Sequence, residues 1–462
     1  MSCSNKSSLI CSLRKHNSFF IRARFIFNNI NIRHSSSPSV TLIPIIISIL
    51  GLLFNKLEGF LFFLIAYNPT TLVQYKLIKE IIIMTSKKAI ITGIVAEFNP
   101  FHNGHKYIIE KARQDTDADY VIVVMSGDFV QRGSAAIMDK HARTMSALKS
   151  GVDAVFMLPV AISTASAQYF ARGSVKMLAD LGCDYLYFGS EDGDIQNIEK
   201  LQYIPGSVET PNNILAREYM DAIREYKLNI KAYTTKRIGT DYNDSDSTTG
   251  EIASASYIRK QLLSEESEDG GDINQLSPVI PPDSMSIFAT YVKTNNLVND
   301  NLFSEILLYK LLSEEKQGFD KYFDVYPDLS SKIISNLYSY KSYNDFANTL
   351  KSKDITFSHL KRALCHILLN IVDNDIEIIK KNNYSTYARL LGFRKDNEGI
   401  IKILQMRSSI DIITKLSDYY KDCSAESRRL LAKDIFASHL YSHFSNKLRE
   451  VSHEFTKPLV IV

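Results

Sequence analysis

The alternation of apolar and polar positions divides the chain into stretches of different character. Residues 1–83 open on a basic, Ser- and Asn-rich stretch, then run apolar from Thr41 to Phe54 and from Phe60 to Tyr67, with Lys56 and Glu58 between the runs. A bilayer-spanning helix takes about 20 mostly apolar residues. Neither run reaches that length, and joining them would bury Lys56 at roughly 2.5–3.5 kcal/mol on insertion scales. The apolar part also starts too late, and lacks a small-residue cleavage site, for a secretory signal. Met84 leads at once into a buried-strand pattern. Residues 1–83 therefore read as an extension outside the working fold, either a misassigned start or a membrane-associated segment.

From Ala89 to Ala96 the chain is β-branched and apolar, the pattern of a strand buried on both faces of a parallel sheet. Asn99-Pro100 stops it. The stretch beginning HNGHKYIIEKARQ then predicts a helix with Tyr107, Ile108 and Ala112 along one face. Further buried strands are expected at Tyr120–Met125 and Tyr185–Gly189, which makes residues 84–265 an α/β domain. An acidic stretch reads as a linker over 266–285. Beyond it helical periodicity dominates, with helices expected over Ser286–Asn296, Leu302–Glu315, Leu329–Tyr340, Phe357–Val372, Gly399–Met406, Ile410–Leu416 and Leu430–Leu448. Residues 286–462 are thus expected to form an all-α domain. No repeat emerges.

Composition changes this picture little. Of 462 residues 45% are hydrophobic and 23% charged, and Gly 19 and Pro 12 exclude a collagen-like or low-complexity chain. Cys3, Cys11, Cys183, Cys365 and Cys423 are scattered with no CxxC pair, which supports neither a disulfide framework nor a zinc knuckle and fits a reducing cytoplasm. Charge is more informative. Residues 1–83 hold nine Lys+Arg and two Asp+Glu; taken from totals of 54 and 51, they leave 45 basic and 49 acidic residues in 84–462, a balance of −4. A nucleic-acid partner of the main body must therefore be met by a local basic patch.

The candidate chemistry starts at His102-Asn103-Gly104-His105. Two histidines stand at a helix N-terminus, where unpaired N–H groups and the dipole favour an anion and Gly104 permits close approach of backbone. Taken alone, the pair could also be a metal site or two unrelated surface histidines. A zinc helix of the HExxH kind spaces its histidines four apart inside the helix, and these are three apart at its start, so phosphate fits better.

FNPFHNGH resembles the HxGH signature of the nucleotidyltransferase superfamily, and Ser254-Ala255-Ser256-Tyr257-Ile258-Arg259 resembles its second signature, with bulky Tyr257 where a small residue is common. GIVAEFNPFHNGH together with Val123–Gly133, Leu158–Val175, Leu186–Ile195, Pro211–Tyr219 and Thr234–Gly239 is similar, in the same order, to the family of bacterial tRNA(Met) cytidine acetate ligases. The segment between Asp194 and Pro211 is shorter than usual there. The resemblance implies a Rossmann-like parallel-sheet nucleotidyltransferase domain that uses ATP, with Mg²⁺, to activate acetate as acetyl-adenylate. The acetyl group then goes to the wobble cytidine of elongator tRNA(Met), giving N4-acetylcytidine.

It also implies catalytic roles for His102 and His105, and ATP binding by Ile94, Val95, Ala96, Glu97, Phe98, Asn99, Pro100, Phe101, His102, Asn103, Gly104, His105, Lys106 and Tyr107 together with Gly189, Asn212 and Arg237. Ser254, Ser256 and Arg259 are suited to the β- and γ-phosphates. On the residues alone, Gly189 is equally a strand-end turn, Asn212 a helix cap, and Lys236 with Arg237 a solvated pair. The loop Ser126-Gly127-Asp128, with Gln131 and Arg132, is expected to border the acetate or cytidine site. Tyr384–Arg394, Lys361, Arg362, Arg428 and Arg429 are expected to meet tRNA, since aromatic and basic groups together suit unstacked RNA bases. No metal ligand, dedicated protein partner or membrane partner is expected, and the location is cytoplasmic. The alternative is a small-molecule adenylyltransferase acting on a mononucleotide or a phosphopantetheine-type acceptor; the long helical C-terminal half argues against it. A non-catalytic RNA-binding protein that retains the fold is a third reading, disfavoured by the presence of both histidines.

Overall fold

Alternate residues of the buried strands point to opposite faces, and both faces are covered. In the computed structural model, which describes residues 89–200, 210–237, 248–249, 252–263, 273–448 and 451–462, the central strands are β1 (Ile91–Ala96), β2 (Tyr120–Ser126), β3 (Ala154–Leu158), β4 (Tyr185–Ser190) and β5 (Lys231–Lys236). The apolar runs at 41–67, and the whole of 1–83, lie outside the described residues. Ile122, Val124, Phe156 and Leu158 share one core with Phe170, Val175 and Tyr219. Val121, Val123, Met125, Val155 and Met157 share another with Ile109, Ala112 and Leu148. Helices α1 (Asn103–Asp115) and α2 (Lys140–Lys149) cover the second face, and α3 (Ala167–Asp180) and α4 (Pro211–Glu225) cover the first.

The strand order is β3-β2-β1-β4-β5, all parallel, with Ile94 opposite both Val123 and Tyr187. The chain moves outward from β1 to β3 and then returns to the other side of β1. The crevice beyond the carboxyl ends of β1 and β4 is therefore the topological switch point, where ligands of open α/β sheets lie.

The C-terminal part is largely helical, with α6 (Phe357–Leu369) and α7 (Ala425–Ser445) among its helices; α5 (Ala255–Leu262) precedes it. It also returns to the sheet. Strand β6 (Ala388–Phe393) pairs antiparallel with β3, and β7 (Ile412–Ile413) and β8 (Val460–Ile461) pair parallel with β6. The helix expected over Ile410–Leu416 is thus a short strand followed by a helix over Leu416–Asp422, because periodicity alone does not separate short apolar runs. Helices over Tyr343–Thr349 and Asp373–Lys381, too short and polar to stand out, are additional. At the end of the acidic stretch, Leu276, Val279 and Ile280 are buried with Ile258 and Phe288, so this part is a packed segment. Residues 89–462 form one compact unit. No helix among the described residues is long and apolar enough to cross a membrane.

The join between β6 and the C-terminal strand depends on Gly392, where a Cβ would overlap the Val460 carbonyl oxygen. Gly392→Ala is expected to lower stability by about 1–3 kcal/mol, as overpacking does, read as a fall in the urea midpoint at unchanged slope.

Candidate active site

Helix α1 begins directly at the carboxyl end of β1, and its cap is a histidine. His102 accepts the Gly104 N–H at Nδ1 (3.1 Å), and His105 accepts the His102 N–H at Nδ1 (3.3 Å), a reciprocal capping box built from two imidazoles. The rings lie 3.7 Å apart between centroids, tilted by 32°. With each Nδ1 acting as acceptor, a neutral ring carries its proton on Nε2 and offers it as a donor. Neutrality follows from the surroundings: burial, then Arg237 and Arg259, push His102 down to about 3. Burial, the neighbouring His102 and Arg237 lower His105.

The expectation of unpaired helix N–H groups is corrected here. Asn103 N–H donates to the Val279 carbonyl (3.0 Å), Gly104 N–H to His102, and His105 N–H to the His102 carbonyl (2.9 Å). Backbone donors of the first turn are committed within the protein, so anion recognition falls to side chains and to the helix dipole. Gly104 is required for a related reason, since a Cβ there would stand 2.9 Å from His102 Cε1.

Arg259, on α5, donates to the Asn99 carbonyl (2.6 Å) and to Ser256 Oγ (3.2 Å), while Ser254 caps α5 by accepting the Tyr257 N–H (3.0 Å). The two phosphate-type motifs therefore meet at one loop despite their separation in sequence. From the other side, Arg237 NH1 lies 3.4 Å from Asn212 Oδ1, and Asn212 Nδ2 donates to Glu191 Oε1 (2.5 Å). Gly189 is hemmed in, with the place of a Cβ 3.0 Å from Ile108 and 3.1 Å from Arg237. Burial lowers the pKa of Arg237 against the pull of Glu191, and that of Arg259 against the pull of Glu97. Arg237 is nonetheless exposed and Arg259 half-buried, which describes cations lining an open crevice. Glu191 is absent from the expected set. Its Oε2 is buried with no hydrogen-bond partner among the described residues, and its only sequence signal is an acidic residue directly after a strand that ends in Gly-Ser.

The loops around the crevice are held from below by α2. Arg143 is buried and donates to the carbonyls of Glu97 (2.6 Å), Ser126 (3.1 Å), Met138 (2.9 Å) and Gly127. One guanidinium thereby ties the ends of β1 and β2 together. Lys140 Nζ donates to Asp128 Oδ2 (2.8 Å), Ser438 Oγ (2.8 Å) and Glu454 Oε1 (3.1 Å), and Arg389 NH2 donates to Glu454 Oε2 (2.6 Å). Burial alone would raise Asp128, but Lys140 holds it below the usual carboxylate range. Asp128 is thus committed to structure. Beside it, Gln131 N–H donates to Glu97 Oε1 (3.0 Å), and Arg132 is exposed.

The RNA-facing reading of Tyr384–Arg394 is corrected in the same way for all but its last residue. Tyr384, Tyr387 and Arg389 are buried, because this stretch contains an interior strand rather than an exposed loop. Lys361 is buried against Asp300, Arg362 pairs with Asp324 (3.1 Å), and Arg429 with Asp375 (2.6 Å). Arg428 remains, its guanidinium 5.8 Å from the Tyr420 ring centre.

The low His102 pKa has a consequence in acid. In the unfolded chain the imidazole takes a proton near its ordinary value of 6.5, while the folded chain resists until about 3. The stability this group contributes is therefore complete above pH 6.5 and is lost as pH falls toward 3. Urea unfolding from pH 7 to 4 should show a wild-type loss steeper than that of His102→Asn by up to about 1.4 kcal/mol per pH unit; equal slopes would contradict the assignment.

Known proteins resemble the chain along most of its length. The HIGH Nucleotidyl Transferase family model matches residues 89–208 and 202–455. The chain is 32% identical over 419 residues to the tRNA(Met) cytidine acetate ligase of Acetivibrio thermocellus, covering 80% of this chain and 100% of that one. It is 33% identical over 392 residues to the Bacillus subtilis protein of the same name, covering 76% and 91%. Crystal structures of Thermotoga maritima TmcAL superpose with TM-scores of 0.73 for the apo form, at 27% identity, and 0.71 for the form bound with alpha-thio ATP, at 26% identity; each covers 81% of this chain and 99% of its own. By family model and by relatives matched along their full length, the chain belongs to the HIGH nucleotidyl transferase family and, within it, to the tRNA(Met) cytidine acetate ligases.

Proposed function

We propose that this chain is an ATP-dependent ligase that activates acetate as acetyl-adenylate and acetylates the wobble cytidine of elongator tRNA(Met) to N4-acetylcytidine. The observation that carries the reading is the convergence on the switch-point crevice of two neutral imidazoles from the first signature motif, the Arg259 guanidinium from the second, and Arg237 directly after β5. The relatives' names supply the acceptor and the acyl group.

In this mechanism an acetate oxygen attacks the α-phosphorus of ATP and pyrophosphate leaves. The cytidine amine then attacks the acyl carbon, loses a proton to solvent, and AMP departs. The Nε2–H donors of His102 and His105 meet the oxygens on which charge builds at the α-phosphate. Arg237 and Arg259 hold the β- and γ-phosphates, with Ser254 and Ser256 framing the turn beneath them. The free Oε2 of Glu191 and the amide of Asn212 suit the hydroxyls and edges of the nucleoside. Acetate is already a nucleophile and the adenylate already activated, so positioning and charge stabilisation carry the reaction, and no side chain is assigned as general base. Among the described residues no three His, Cys, Asp or Glu side chains gather to hold a metal. The described residues thus offer no carboxylate cage for Mg²⁺, which would arrive with the phosphates of ATP. The reaction places the protein in the cytoplasm with its tRNA.

Incubation with ATP, labelled acetate and unmodified tRNA(Met) should put label into RNA; pyrophosphate release with a mononucleotide acceptor, and unlabelled RNA, would favour a small-molecule adenylyltransferase instead. His105→Ala should reduce kcat by about 10²–10³-fold, the usual effect of deleting one donor to a developing charge, with the chain still folded by circular dichroism. Arg237→Ala should act mainly on the KM for ATP.

A further inference from the structure

A groove of about 750 Å³ lies between the start of α1, the end of α2 and the residues after β6. Its walls carry Lys106, Lys149, Arg394 and Lys395 against one acidic side chain, Asp396, which Arg394 already grips through Nε (3.0 Å) and NH2. Lys149 is exposed, and among the described residues neither it nor Lys395 has a carboxylate within ion-pair distance. In a main body with 45 basic and 49 acidic residues, such a groove is a local reversal of field, and a polyanion would be drawn to it.

Sequence distance makes the groove informative. Residues 106, 149 and 395 meet only because β6 pairs antiparallel with β3 and carries Arg394 and Lys395 back beside α2. That loop is braced: Arg394 N–H donates to the Asp153 carbonyl (3.0 Å) and Lys395 N–H to the Val462 carbonyl (2.8 Å). The positive charges therefore project from a fixed base. Lys106 lies in the first turn of α1, while Lys149, Arg394 and Lys395 stand by the amino end of β3, so the groove runs along the flank of α1 away from the crevice.

We propose that this groove seats phosphate backbone of the RNA substrate at a distance from the modified base, with Lys149 and Lys395 as phosphate contacts. The inference rests on the RNA-acetylating reading and names the surface that serves it. Contacts of this kind position the polymer without reading its sequence, and each one neutralised releases counterions and steepens the salt dependence.

The test uses the full chain, the variants Lys149→Glu, Lys395→Glu and their combination, and unmodified tRNA(Met). Acetate-dependent exchange of labelled pyrophosphate into ATP, measured without RNA, should stay within about twofold of wild type. In the double variant the KM for tRNA should rise tenfold or more, and the log–log salt dependence should become shallower by about 1–2 units. Lys149→Arg with Lys395→Arg should restore both, and equal thermal midpoints would exclude unfolding. An unchanged tRNA KM and salt slope in the double variant would overturn the groove while leaving the ligase reading intact. A wild-type chain that exchanges pyrophosphate but labels no RNA would overturn that reading, and the groove with it.

Discussion

Two imidazoles can offer protons to a phosphate at neutral pH only while they stay uncharged and while their other nitrogens are occupied. The first turn of α1 enforces both conditions. Each Nδ1 is taken by a backbone N–H of the same turn, which leaves Nε2 as the donor, and burial beside two guanidiniums keeps the rings neutral. The backbone donors usual at a helix mouth are sacrificed to this arrangement. In the proposed reaction side chains and the helix dipole then carry anion recognition, and the precision of the crevice depends on how firmly its loops are held.

That firmness comes from beneath and from far along the chain. Arg143 gathers backbone carbonyls from the ends of β1 and β2. Lys140 adds a buried ionic cluster whose carboxylates come from the β2 loop and from Glu454, near the end of the chain. Breaking a buried pair on one side leaves an uncompensated charge and is strongly destabilising. The C-terminal half is accordingly part of the catalytic body: it extends the sheet with β6, closes the cluster with Glu454, and packs the α6 backbone against Gly133, where no side chain would fit.

The parts of this arrangement that are local in sequence are legible there. The run Ala89–Ala96, its stop at Asn99-Pro100 and the helix after HNGH are read directly, as is the helix start that carries Ser254 and, five residues on, Arg259. Non-local roles are hidden. Arg143 reads as an ordinary helix residue until the carbonyls around it are known. Glu191 reads as a surface carboxylate until Asn212 and Arg237 arrive beside it. Tyr384–Arg394 misleads because aromatic and basic residues suit an RNA face and an interior strand equally well, and only pairing with β3 distinguishes them. Asp128, similarly, gives no sign that its carboxylate belongs to Lys140.

In the proposed reaction the crevice joins a carboxylate to the α-phosphate of ATP. Acetate labelled with ¹⁸O in both carboxyl oxygens tests it most directly, in a complete reaction with unmodified tRNA. If the adenylate forms, the bridging oxygen comes from acetate and remains with the leaving nucleotide, so the product AMP carries one ¹⁸O and pyrophosphate carries none. Unlabelled AMP, or ¹⁸O appearing in inorganic phosphate alongside ADP, would contradict the account.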